Sequence, residues 1–85
     1  MYKIDFRTAR NLNSANFANA NISGANFSGQ NLQAAKMQGV RIQLTFPLYD
    51  TLFQCADLRK ASFAGSNLFR VNFECSERDK KTLLT

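Results

Sequence analysis

The side chains that could do chemistry in this chain are few. Its 85 residues include no histidine, two cysteines (Cys55 and Cys75), six acidic residues and eleven basic ones. Without an imidazole there is no Ser-His or Cys-His nucleophile and no His-ligated catalytic zinc. Two cysteines make neither a disulfide framework nor a four-ligand metal motif, so reduced thiols are expected. What remains is electrostatic. The net charge is +5 with a pI near 9.7, and Lys36, Arg41, Arg59 and Lys60 form the candidate binding patch, suited to phosphates of nucleic acid or to an anionic membrane surface. No aromatic residue is interleaved in that patch, so base stacking is not expected. No apolar run approaches the roughly 18 to 20 residues of a membrane span, and the first ten residues lack the apolar stretch of a signal peptide, which makes the cytoplasm the expected location.

What positions these residues is a repeat of period five. From Arg10 the sequence cuts into R-N-L-N-S, A-N-F-A-N, A-N-I-S-G, A-N-F-S-G, Q-N-L-Q-A, A-K-M-Q-G and V-R-I-Q-L. With Thr45 taken as a one-residue insertion, the frame resumes as F-P-L-Y-D, T-L-F-Q-C, A-D-L-R-K, A-S-F-A-G, S-N-L-F-R and V-N-F-E-C. The centres are Leu12, Phe17, Ile22, Phe27, Leu32, Met37, Ile42, Leu48, Phe53, Leu58, Phe63, Leu68 and Phe73, all large and apolar. Ile4 to Thr8 fits as one more unit if Ala9 is a second insertion. A period of five spreads apolar residues around an α-helix and leaves no stripe, so a long amphipathic helix is excluded. The centre and the residue two before it share one face of an extended segment and point inward, while the other three residues point outward and turn a corner.

This A-[DN]-[LF]-x-x pattern resembles the pentapeptide-repeat family over residues 10 to 75. The resemblance implies an all-β fold: a right-handed quadrilateral parallel β-helix, a solenoid of about three and a half coils in which four pentapeptides make one square turn. Residues 1–75 would form the coil, with a bulge near 44–47, and residues 76–85 a short C-terminal helical tail. With one coil per twenty residues, one inner column reads Leu12, Leu32, Phe53, Phe73.

Three departures carry structural expectations. Thr45, Phe46 and Pro47 break the pattern, and a proline cannot donate to a ladder, so a bulge or bend is expected there. Arg10, Gln30, Thr51 and Val71 replace alanine in one inner column, and the polar three are read as satisfied by hydrogen bonds. Ser76 with Asp79 has the spacing of a capping box, and Leu83 and Leu84 are suited to lie over the open coil end; otherwise that end offers a homodimer contact. On the outer surface, Asp57 is expected one coil from Lys36 and Asp50 one coil from Arg70. Cys55 and Cys75 are expected on neighbouring coils.

No two carboxylates share a face at catalytic separation, so acid/base chemistry is not expected, and neither a cofactor nor a metal is assigned. The first expectation is a non-catalytic interaction scaffold for a protein partner. The alternative, a DNA mimic that binds type II topoisomerases, is what the resemblance implies for quinolone-resistance relatives, which rely on an acidic surface that this basic chain lacks.

Overall fold

The computed structural model describes residues 4–9, 11–42 and 50–78. Each pentad folds for local reasons. Asn or Asp stands before most centres, and its side-chain oxygen accepts the N–H two residues on: Asn16 Oδ1 from Ala18 (2.9 Å), Asn31 from Gln33 (3.1 Å), Asn67 from Phe69 (3.0 Å) and Asn72 from Glu74 (2.8 Å). This Asx turn occupies an outward N–H that no neighbouring coil reaches. The chain then bends. The residue three after a centre donates back to that centre's carbonyl, as Ala25 does to Ile22 (3.0 Å) and Ala35 to Leu32 (3.0 Å). Among the described residues, those with positive φ all stand two places after a centre: Ser14, Asn19, Ala34, Cys55, Lys60, Arg70 and Cys75, with Gly24, Gly29, Gly39 and Gly65. A positive φ at the third residue of such a turn is the mark of type II. All four glycines of the chain lie in this set.

Between corners, short extended stretches pair in parallel with the next coil. Asn16 pairs with Lys36, Asn21 with Arg41 and Asp57 with Glu77. Strand β1 (Thr51–Leu52) pairs with β2 (Val71–Asn72), Thr51 opposite Val71. These partners are 20 residues apart, one square coil. Asp5 pairs with Asn26, which accommodates one extra residue and fits the insertion read at Ala9.

Across the middle of the chain the register differs from expectation. Asn26 pairs with Leu52, Asn31 with Asp57 and Lys36 with Ser62, each 26 residues apart. Six residues beyond one coil therefore separate Ile42 from Thr51, where a single insertion was expected. Every rung asks the residue before the centre to donate its N–H to the coil below, as Lys36 does to Ala15 (2.8 Å) and Asp57 to Gln30 (2.9 Å). In F-P-L-Y-D that position is Pro47, which has no N–H. Leu48, expected as a centre, and the bulge at 44–47 lie outside the described residues.

The inner columns follow the observed register. Side one stacks Phe6, Phe27, Phe53 and Phe73, with ring centroids 4.5, 4.8 and 5.5 Å apart and rings within 16° of parallel. Side two stacks Leu12, Leu32 and Leu58; side three Phe17, Met37 and Phe63; side four Ile22, Ile42 and Leu68. The expected column of Leu12, Leu32, Phe53 and Phe73 is thus corrected: Leu32 meets Leu58, and Phe53 meets Phe27. Across the interior Phe17 stands edge-on to Phe27 (5.4 Å), and Phe63 to Phe53 (5.5 Å). Such offset and edge contacts are the favoured aromatic arrangements. Ile22, Phe27, Leu32, Met37, Phe53, Leu58 and Phe63 are fully buried, and Ile42 is buried. Leu12, Phe17, Leu68 and Phe73 are half-buried, each with one column neighbour among the described residues.

The polar inward residues are satisfied, though in different columns from those expected. Gln30 lies over Ala56's column and donates from Nε2 to the Arg7 carbonyl (2.8 Å). Thr51 sits between Ala25 and Val71; its hydroxyl donates to the Ile22 carbonyl (2.8 Å) and accepts from Gly24 N–H (3.0 Å). Pairing continues to Glu77, two residues past the end expected at 75. Of the tail, residues 79–85 lie outside those described, as do Arg10 and both leucines expected to cover the end.

Candidate interaction surface

Side chains just before and just after each centre project from the flat sides, so the outer surface is a set of columns at rung spacing. Lys36 stands on side three between Asn16 and Ser62. Arg41 stands on side four, above Asn21. Arg59 and Lys60 lie on side two, one coil further on. The four candidate residues, expected together as one patch, are therefore distributed over three sides. The expected neighbour of Lys36, Asp57, is replaced by Ser62, because Asp57 stacks between Asn31 and Glu77.

Arg59 is held rather than offered. It straddles its own pentad to meet Asp57 in a two-point contact, Nε to Oδ1 (3.0 Å) and Nη2 to Oδ2 (2.8 Å), and approaches Glu77 Oε2 at 3.7 Å. Gln33 adds a hydrogen bond to Asp57 Oδ2 (2.8 Å). The Arg59 guanidinium, offset by partial desolvation and helped by the Gln33 bond, holds the Asp57 carboxyl below the usual carboxylate range. The same clasp recurs at the other end of the coil: Arg7 Nη2 lies 2.8 Å from Asp5 Oδ2, and the Asp5 pKa is pushed down to about 2, chiefly by that side-chain hydrogen bond. An acid before the centre with an arginine after it is a signal that sequence could have yielded, since the two residues flank an inward side chain and point the same way. Asp50 and Arg70 do meet as expected, Nε to Oδ1 at 2.7 Å. Lys36 and Arg41 make no ion pair among the described residues.

Because the Asn16 side-chain oxygen is engaged in its turn, its amide NH₂ is the group left to face outward beside Lys36. Phe69, also on side four, is half exposed at 50%. The residues described hold no cluster of three or more metal-ligating side chains, and they contain no helix long and apolar enough to cross a membrane.

The cysteines differ from expectation in oxidation state. Cys55 and Cys75 are joined, with Cα atoms 4.3 Å apart. Expected proximity is met, and the reduced thiols are not. In-register extended residues would aim their Cβ atoms poorly for a bond, but both cysteines are left-handed corner residues, φ 56° and 67°. Arg78, in the place of the next centre, lies over the Phe73 ring at 5.8 Å, a cation–π contact at the coil end.

Among known proteins, the family described as Pentapeptide repeats matches residues 11–45 in eight copies. The crystal structure of a pentapeptide repeat protein (Rfr23) from the cyanobacterium Cyanothece 51142 is similar at 32% identity, over 88% of this chain and 44% of that one, with a TM-score of 0.36. The present chain thus spans less than half the length of that relative. No curated protein matches it.

Proposed function

This chain is built on pentapeptide repeats, and on that premise we propose that it is a non-catalytic scaffold that binds a protein partner through its outer sides. Proteins of this family are generally repeat scaffolds without enzymatic activity. The observation that carries the reading is the outer surface of sides three and four. There Lys36 and Arg41 rise from columns whose neighbours, Asn16 and Asn21, are pinned by their own turns. Donors fixed at rung spacing lose little side-chain entropy on binding, which favours an acceptor-rich, acidic partner surface. In this reading the coil is right-handed, about three and a half turns long, and works in the cytoplasm.

The test compares wild type with the Lys36→Glu/Arg41→Glu variant. Exposed charges contribute little to stability, so the melting temperature should be unchanged while capture of the partner by the immobilised chain is lost. Equal capture by both proteins would place the contact elsewhere and overturn the assignment. Salt-dependent retention on duplex DNA or anionic vesicles, abolished by the same variant, would replace the protein partner with a polyanion.

A further inference from the structure

We propose that the Cys55–Cys75 pair is a reversible thiol–disulfide exchange site that controls the order of the last described rung, residues 71–78, and that an incoming thiolate attacks at Cys55. Both cysteines are exposed at the outer corner of side one. The column beneath them continues with Gly29, whose N–H bonds to the Gln54 carbonyl at 2.8 Å. Exchange needs the attacking sulfur in line with the bond it breaks. The line through the two cysteines leads, on the Cys55 side, over Gly29, and a Cβ built there would meet no atom within 4 Å. That glycine leaves the approach to the Cys55 sulfur open.

The site sits where a covalent bond changes most. Among the described residues, 71–78 pair only with the coil below them: Phe53 N–H to Asn72 O (2.8 Å), Cys55 to Glu74 (2.9 Å), Leu58 to Glu77 (2.8 Å) and Glu77 back to Ala56 (2.9 Å). Phe73 is half-buried and covers Phe53, which is wholly inaccessible. With the bond formed, the rung is tethered to the coil below it and opens less often. With it broken, this rung is the first to fray, and its departure uncovers the Phe53 ring together with the backbone edge of Leu52, Phe53 and Cys55.

The chemistry balances with a low-molecular-weight thiol and its disulfide. A glutathione thiolate attacks Cys55 Sγ, the Sγ–Sγ bond breaks, and Cys75 leaves as a thiolate that takes a proton. A second glutathione thiolate then attacks the mixed disulfide at the glutathione sulfur and frees Cys55. Two electrons pass to the protein, and glutathione disulfide is released. The reverse sequence, with glutathione disulfide as oxidant, closes the pair.

Amide hydrogen exchange on the whole chain tests this, comparing protein equilibrated with glutathione disulfide and with excess reduced glutathione. A 20-residue loop closure is worth about a hundredfold in the opening equilibrium. Protection at Phe53, Cys55, Leu58 and Glu77 should fall by that factor on reduction and recover on oxidation, while Phe17 and Met37 are unchanged. A Cys55→Ser/Cys75→Ser variant should show the reduced pattern under both conditions. A Gly29→Asn variant, whose side chain tolerates the left-handed backbone, should be reduced several-fold more slowly. Equal protection in the two redox states, or a loss spread evenly over all coils, would overturn the control of the rung. An unchanged rate in Gly29→Asn would overturn attack at Cys55.

Discussion

Phe27 and Phe53 lie face to face with centroids 4.8 Å apart and rings 6° from parallel, although 26 residues separate them in the chain. One coil accounts for twenty of those residues. The remaining six stand between Ile42 and Thr51 and add no rung to the described ladder. Deleting residues 45–50 joins V-R-I-Q-L directly to T-L-F-Q-C and restores an unbroken period. The expected outcome is a folded coil with unchanged strand-type circular dichroism, losing only the Asp50–Arg70 pair. A deletion variant that does not melt cooperatively would show that the observed register is wrong.

The corner column separates two costs of a side chain. Gly29 and Gly39 both have positive φ, near 70°, and alanine at either position should cost about 1 kcal/mol for its left-handed backbone. Gly39 costs more, because its Cβ would come within 2.5 Å of Asn19 Oδ1, whereas nothing lies within 4 Å at Gly29. Chemical denaturation of Gly39→Ala, Asn19→Ala and the double variant should give a coupling that removes the excess.

The Asx turns predict a graded response at Asn16. Replacement by Ala deprives the Ala18 N–H of its acceptor (2.9 Å) and should destabilise by about 1 kcal/mol. Replacement by Asp keeps an oxygen in place and should be close to neutral. Equal losses from both substitutions in urea melts would argue against the turn.

Acid should loosen side two through Asp57. Its folded pKa lies below the unfolded value of 3.8, so the contribution is complete above that value and is lost as pH falls through the lower folded pKa. Stability measured from pH 5 downward should therefore decline, and Asp57→Asn should flatten that part of the profile. A wild-type profile already flat below pH 4 would remove the Arg59 clasp from the account.

Much of the local structure was legible in the residues. The apolar centres and the small residues two places before them define which side chains point inward, and seven of those centres are fully buried. The Asn/Asp column announced an outward position. Its role in holding the turn, and the glycine column two places after the centres, are equally local signals. The four basic residues lie outside, as their places beside the centres require, but their sides follow from the six-residue insertion, because a side is set by counting rungs from it.

The sequence by itself determined the pentad, since each pentad closes within itself: a centre turned inward, a carbonyl bonded three residues on and, in most, an Asx side chain holding the corner. Only the tertiary structure decided which pentads stack. Every coil offers the next the same backbone donors and acceptors, so a period of five is consistent with several registers. The choice lies in contacts between residues 20 or 26 apart, in the Phe6–Phe27–Phe53–Phe73 stack and in the rung that Pro47 has no N–H to make. Cysteine chemistry divides the same way. Spacing put Cys55 beside Cys75, but only the left-handed corner conformation of both residues turned neighbours into a bonded pair.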